Sequence, residues 1–304
     1  MFAPPEELTP SEFARVPDGL RRVGEPSWMS ARGRIGTFLE GPAFDREGVL
    51  HVVDLPFGRI FRVSEGGEFE IAAEYDGAPN GLAIHADGSF YVADRHHGIV
   101  RIEPRRGEPE TVLEALPGGV ALKGPNDLVF DRDGNLYFTD QGQTGLHDPT
   151  GRLVRMAADG TVTVLLDNIP SPNGLVLDEA ERVIYLAVTR ANAVWHVPLA
   201  RDKTSVGRVG LFIQLSGGPE GGPDGMAMDR AGNLAVAHAR LGSLWLFSAL
   251  GEPVYRVRAE CGPLVTNAAY GGPDGRTLFL TESQSGTILT VSLPTPGLPL
   301  FSHT

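Results

Sequence analysis

One pattern recurs six times along this chain, and that recurrence restricts the fold more than any other feature. The copies read EGPAFDREGVLHVVD from Glu40, NGLAIHADGSFYVAD from Asn80 and NDLVFDRDGNLYFTD from Asn126. They continue as NGLVLDEAERVIYLAV from Asn173, DGMAMDRAGNLAVAH from Asp224 and NAAYGGPDGRTLFLTE from Asn267. Each is two short β-rich runs around a turn carrying Asp, Gly or Asn, the signature of a hairpin. A third run follows each pair (RIFRV, GIVRI, RLVRM, AVWHV, SLWLF, TILTV), and a fourth, such as ETVLEAL, often precedes the next copy. Four short strands per unit, at intervals of 40 to 50 residues, describe a β-propeller blade. The expectation is an all-β, six-bladed propeller forming a single domain over residues 1–304, with blades starting near 40, 80, 126, 173, 224 and 267. Residues 1–39 stand outside the copies and are expected to close the ring, because an open ring would leave bare sheet edges.

Every copy opens on a polar residue in the same register: Glu40, Asn80, Asn126, Asn173, Asp224 and Asn267. Asn-Gly and Asp-Gly are turn formers, which accounts for any one of these positions taken alone. It does not account for the set. Glu40 is a poor turn residue, and Asn126 and Asn267 are followed by Asp127 and Ala268 rather than Gly. What the six share is a carbonyl or carboxylate oxygen. The first strand of a blade is its innermost, so six heads form a ring of oxygens around one mouth of the central channel. Carboxylates and amides converging in low dielectric are costly without a cation. Oxygen donors suit a hard ion, calcium above all because it tolerates irregular geometry. Zinc favours His or Cys, which the ring lacks. The expected cofactor is Ca2+, with Mg2+, Mn2+ and Zn2+ left open.

At these residues the chain resembles the regucalcin/gluconolactonase family and its relatives, calcium-dependent lactonases and diisopropyl-fluorophosphatase. The resemblance runs from LEGPAFD to RTLFLTE and is most specific in EGPAFD, PNDLVF, SPNGLVL and GGPDGMAMD. It implies a divalent metal in the propeller channel held by Glu40, Asn126, Asn173 and Asp224. Asn80 and Asn267 would then face substrate or support the ligands. A second, structural calcium like that of the fluorophosphatase would need a carboxylate and a His where this chain has Ala227 and Ala269, so one ion is expected. An Arg that regucalcin carries two positions before Asn126 is here Gly124.

Second strands return toward the ring, so the loops after them should rim the pocket. This brings Phe57, His96-His97 and His238 into consideration, the last because its blade carries Asp224. Phe57 and His238 are expected to contact substrate; His96-His97 read as solvated loop residues. The chemistry implied is opening of a lactone by a divalent-metal-dependent hydrolase. Asp224 would be the catalytic carboxylate, as base or as nucleophile, and Glu40 mainly a charge-balancing ligand. Two alternatives stay open: a phosphotriester or fluorophosphate hydrolase on the same metal, and a non-catalytic propeller that binds calcium or another ligand. No G-x-S-x-G, H-E-x-x-H or G-x-x-x-x-G-K motif competes.

A formal charge of −12 argues against nucleic acid or an anionic membrane as partner and favours a small neutral lactone or ester. Cys261 is the single cysteine, which fits a reducing compartment. No signal-peptide pattern and no apolar run of membrane-spanning length is present, so the expected location is the cytoplasm.

Overall fold

The computed structural model describes residues 3–24, 35–104, 108–216 and 220–303. Residues 25–34 of the N-terminal segment lie outside the described residues. Among the described residues the chain is built from strands with three short 3-10 turns, and no helix is long and apolar enough to cross a membrane. Six antiparallel sheets follow the six sequence copies. Blade 1 comprises Leu39–Phe44, Leu50–Asp54, Arg59–Val63 and Phe69–Glu74; blade 2, Pro79–Ile84, Phe90–Asp94, Gly98–Ile102 and Pro109–Leu113. Blade 3 comprises Pro125–Phe130, Leu136–Asp140, Gly151–Met156 and Val162–Ile169; blade 4, Pro172–Leu177, Val183–Val188, Ala193–Pro198 and Gly210–Gln214. Blade 5 takes Gly222–Met228, Leu234–Ala239, Ser243–Phe247 and Pro253–Arg258; blade 6 takes Val265–Gly271, Thr277–Glu282 and Thr287–Ser292. The fold is a six-bladed β-propeller.

Blade 6 lacks a fourth strand of its own. Ser11–Arg15, from the chain's other end, pairs antiparallel with Thr287–Ser292 and supplies it, while Glu6–Leu8 adds a parallel fifth strand to blade 5. The core is divided among the six seams between neighbouring blades. One apolar cluster joins blades 1 and 2 through Val53, Ile60, Leu82 and Phe90, and equivalent clusters fill the other five seams. Strands whose two faces both meet a neighbour read as nearly continuous apolar runs, which explains sequences such as LHVVD and VIYLAV. At the axis the inner strands of consecutive blades contact one another around the ring, that of blade 6 meeting that of blade 1.

The seam between blades 6 and 1 depends on the N-terminal strand. Ala14 is buried there with Phe44, Phe61, Phe69 and Phe279. Ala14→Asp places a carboxylate in this apolar seam, and a loss of at least about 3 kcal/mol in urea unfolding is expected. A variant within about 0.5 kcal/mol of the parent would show that this strand does not help hold the ring shut.

Candidate functional site

The site is made by the way each inner strand begins. In all six blades the pairing of the first strand with the second slips by one residue at the ring level. In blade 3, Pro125 pairs with Asp140 and Leu128 with Phe138, so Asn126 and Asp127 together oppose Thr139. Asn173-Gly174 and Asp224-Gly225 occupy the same two-against-one arrangement in blades 4 and 5. A bulge of this kind bends the strand and re-aims its side chains. It also explains the glycines. A Cβ on Gly174 would lie 2.4 Å from the Asp224 carbonyl oxygen, and one on Gly225 would lie 2.0 Å from the Asn267 side chain. In blades 1, 2 and 4 the glycine after the ring position lies against the next blade's backbone, and in blade 5 it lies against the Asn267 side chain.

The six ring positions lie at the heads of six adjoining inner strands, as the second or third residue of each. Asn267 donates its amide to Glu40 Oε2 at 3.3 Å across the seam that closes the ring, and the Gly41 N–H reaches the same oxygen at 3.2 Å. Asn126 donates its amide to Gln141 Oε1 (3.2 Å), and Asn173 donates to Thr189 Oγ1 (3.1 Å), which in turn donates to the Pro223 carbonyl (2.8 Å). Both asparagines thus direct their NH2 groups to the loops after the second strands, leaving Oδ1 on the other limb of each amide. Asn80 is half-buried at the same level of blade 2.

The charges converge. Burial raises the Glu40 carboxyl well above its ordinary range, and the carboxylates of Asp224 and Asp127 push it further, against the two hydrogen bonds from Asn267 and Gly41. Asp127 is pushed up to about 7 by burial, against hydrogen bonds from the Leu128 N–H and Asn267. Glu40 is thus acted on by two carboxylates and two uncharged donors. Three acids and several amide oxygens at one end of a channel are the donor set of a hard cation, and the residues present fit one. Glu40, Asn126, Asn173 and Asp224 have the required donor types.

Asp127 is the member that sequence reasoning passed over. Its signal lies in the position after each ring residue, which reads Gly41, Gly81, Asp127, Gly174, Gly225 and Ala268. A carboxylate among glycines, in a place with little room for any side chain, marks blade 3 as different.

The two remaining expected substrate contacts, His238 and Phe57, lie on blades 5 and 1. His238 is fully buried, its Nδ1 accepting the indole N–H of Trp245 at 3.3 Å. Burial, then the charge of Arg256, lowers its pKa to about 4, so it is a neutral buried imidazole whose Nε2 has no hydrogen-bond partner among the described residues. Its position explains this. In four other blades the last residue of the second strand is Asp54, Asp94, Asp140 or Glu282, each with no exposed surface. Asp94 accepts from the backbone of Ala78, His96 and His97 and from the Tyr75 hydroxyl; Asp140 accepts from the backbone of Lys123 and Gly124. These carboxylates tie down the loops around the mouth, and His238 stands in their place in blade 5. Phe57 is half-buried on its loop, against Gly24 and 5.5 Å from the Arg59 guanidinium.

A second acidic cluster lies in the hairpins at the far ends of the inner strands. Asp131, Asp133 and Glu181 bring carboxylate oxygens within 4.8 Å of one another. Lys203 occupies it, with Nζ 2.9, 3.2 and 2.8 Å from Asp131, Asp133 and Glu181. That cluster already holds its counter-charge.

Fold and site together define a six-bladed propeller with an oxygen-lined acidic site at one end of its axis. The chain belongs to the SMP-30/gluconolactonase/LRE-like family, whose model matches residues 38–284. It is 29% identical over 247 residues to lactonase drp35 of Staphylococcus aureus, covering 78% of this chain and 74% of that protein. It is 27% identical over 275 residues to the Staphylococcus epidermidis protein of the same name, covering 87% and 79%. Among solved structures, a calcium-binding protein, regucalcin, from Agrobacterium tumefaciens superposes with a TM-score of 0.78 at 22% identity, over 97% of this chain and 99% of that one. A gluconolactonase from Xanthomonas campestris gives 0.72 at 23% identity, over 85% and 86%.

The buried imidazole carries a pH signature. His238 has a folded pKa near 4 against an ordinary 6.5, so the unfolded chain takes up its proton first as pH falls. Its contribution is present above pH 6.5 and is lost progressively toward pH 4. His238→Gln should flatten the fall in stability across that window, read as Tm against pH. A variant whose Tm falls as steeply as the parent's would show that His238 is not the group responsible.

Proposed function

We propose that this chain opens lactones with the help of a divalent cation, calcium being the ion its oxygen donors suit. The observation that carries the reading is the convergence of Glu40, Asp224 and Asp127 with Asn126 and Asn173 at one mouth of the channel. The staphylococcal relatives named lactonase support the reaction class, and the regucalcin described as calcium-binding supports the ion. Glu40, Asn126, Asn173 and Asp224 would hold the cation. When bound, it polarises the lactone carbonyl and stabilises the charge developing on that oxygen.

The chain's own groups supply the rest. Asp224 is half-buried rather than sealed, as a carboxylate that works on a small ester must be. Its carboxylate accepts a proton as water adds to the carbonyl carbon, and the proton passes to the ring oxygen as the C–O bond breaks. Asn126 and Asn173 are held by Gln141 and Thr189, so their oxygens are fixed before substrate arrives. A neutral lactone enters without electrostatic cost, whereas the hydroxy-acid product carries a negative charge that Asp127 and the overall charge of −12 oppose, which favours release.

Asp224→Asn keeps one ligand oxygen but loses the proton acceptor. Lactone hydrolysis at saturating calcium should fall by at least about 100-fold with the fold intact by circular dichroism. Recovery of parental activity on raising calcium would make Asp224 a ligand only and move the base elsewhere. The elevated carboxyls give an independent test. A cation displaces protons from Glu40 and Asp127, so binding should release protons near neutral pH and weaken as pH falls. Calorimetric calcium titrations in two buffers of different ionisation enthalpy should therefore differ. Identical enthalpies in both would remove these carboxylates from the site.

A further inference from the structure

One position at the mouth repeats in its backbone and varies in its side chain. It is the residue after the Asp, Glu, Val or His that pairs with the head of each first strand: Leu55, Arg95, Gln141, Thr189, Ala239 and Ser283. In five blades its N–H donates to the carbonyl just ahead of its own blade's first strand, as Thr189 does to Ser171 and Ser283 does to Leu264. Of the six, Thr189 and Ser283 carry a hydroxyl. Both hydroxyls reach out of their own blade. Thr189 Oγ1 donates to the Pro223 carbonyl of blade 5 at 2.8 Å, and Ser283 Oγ donates to the Leu39 carbonyl of blade 1 at 2.6 Å.

Pro223 and Leu39 immediately precede Asp224 and Glu40, the two acidic ring positions. The other four ring positions are asparagines, and the aligned residue of the blade before each is Leu55, Arg95, Gln141 or Ala239, without a hydroxyl. Thr139 also crosses a seam, but from one residue earlier, and it reaches the carbonyl of Asn173 itself. The tethers therefore fall where the ring is charged. There is a physical reason for this. Asp224 and Glu40 repel one another across the ring. Each head also adjoins a slip in strand pairing, where the ladder fixes the backbone less firmly. The carbonyl of Pro223 and the N–H of Asp224 belong to one planar peptide, as do those of Leu39 and Glu40. Holding the carbonyl from the neighbouring blade fixes the plane from which the acid projects.

We propose that Thr189 and Ser283 are positioning residues of the cation site, each holding one of two mutually repelling carboxylates in place before the ion arrives. This rests on the cation reading of the ring. The two hydroxyls act through backbone carbonyls, so removing them leaves the number of ligand oxygens unchanged and loosens where those oxygens stand. Thr189 has a second hold, since its Oγ1 also accepts the Asn173 amide at 3.1 Å. Ser283 is fully buried, with Oγ 2.6 Å from Thr266 Oγ1. Groups that orient metal ligands typically contribute about 10-fold to 100-fold in metal affinity.

The test is calorimetric titration of the full chain with calcium, beside thermal melting of the calcium-free chain. Thr189→Val keeps the shape and removes the hydroxyl; Ser283→Ala removes the other. Each should weaken calcium binding at least about tenfold. Thr189→Ser, which restores the hydroxyl, should bind within about twofold of the parent. Ser89→Ala is the control: its buried hydroxyl accepts from Arg101 at the start of the second strand of blade 2, and its loss should leave calcium affinity unchanged. A hydroxyl with a merely structural role would lower the melting temperature of the calcium-free chain and leave the affinity as it was. The inference is overturned if Thr189→Val and Ser283→Ala bind calcium as tightly as the parent, if only one of them is weakened, or if Thr189→Ser binds as weakly as Thr189→Val. A parent that binds no calcium overturns the cation reading itself, a result distinct from tight binding by every variant. Should Ser283→Ala fail to fold, Thr189→Val and its serine counterpart still decide whether a tether positions the site.

Discussion

Everything at this protein's axis follows from how closely six inner strands approach one another there. Sheets packed face to face around a closed ring keep a normal separation along their seams, filled by residues such as Leu175 and Leu186. At the inner edge the strands converge, and side chains no longer fit between them. Gly174 and Gly225 stand where any Cβ would strike the next blade. The slip in pairing at the ring level relieves the same crowding, because two residues share the length opposite one. Its consequence is chemical. A strand that alternated strictly would send one polar residue to the axis and the next into a seam, whereas the bulge brings Asn126 and Asp127 to one side. The crowding that would destabilise a wide side chain concentrates oxygen.

The six-fold repeat made the propeller and the ring legible from sequence alone, since the aligned positions Glu40, Asn80, Asn126, Asn173, Asp224 and Asn267 do head adjoining inner strands. The same alignment hid Asp127. Choosing one position per blade assumes the next points away, and the bulge that defeats the assumption leaves no mark in hydrophobic periodicity. His238 is the second position whose environment the pattern did not reveal. It pairs with Pro223 as Asp94 pairs with Pro79 and Asp140 with Pro125, and those residues are sealed anchors for backbone N–H groups. Reading the second-strand ends as a set, as was done for the first-strand heads, points to an interior position. The fourth strand of blade 6 was harder to see, because SEFAR precedes its partner by most of the chain and carries no copy of the repeat.

Acidic residues are abundant in this chain, and how each group is neutralised separates structure from chemistry. Arg59 holds Asp54 at 3.0 Å, Arg152 holds Asp140 at 3.0 Å, and Lys203 sits among Asp131, Asp133 and Glu181. In each case the cation belongs to the chain, and the pair fixes a loop or a hairpin. At the ring, the groups acting on Glu40 are Asp224, Asp127, an amide and a backbone N–H. A propeller core made of blade seams does not need that cluster, because six apolar clusters already hold the blades together. Two carboxyl pKa values are raised there, and perturbed acids gathered in a cleft mark functional sites.

The two halves of the channel then differ by one further choice. Above, the inner strands present Glu40, Asn126, Asn173 and Asp224; a few residues further along the same strands present Ala43, Leu128, Leu175 and Met226. The change from oxygen to hydrocarbon occurs within two or three residues on each strand, so the ring sits on an apolar floor. Residues 298–302 of the C-terminal segment line the same space further from the ring. A low-dielectric foundation strengthens every charge interaction above it, including the repulsion among Glu40, Asp224 and Asp127. The ring's acids thus stand next to an apolar lining, and that surround raises the cost of leaving Glu40, Asp224 and Asp127 uncompensated.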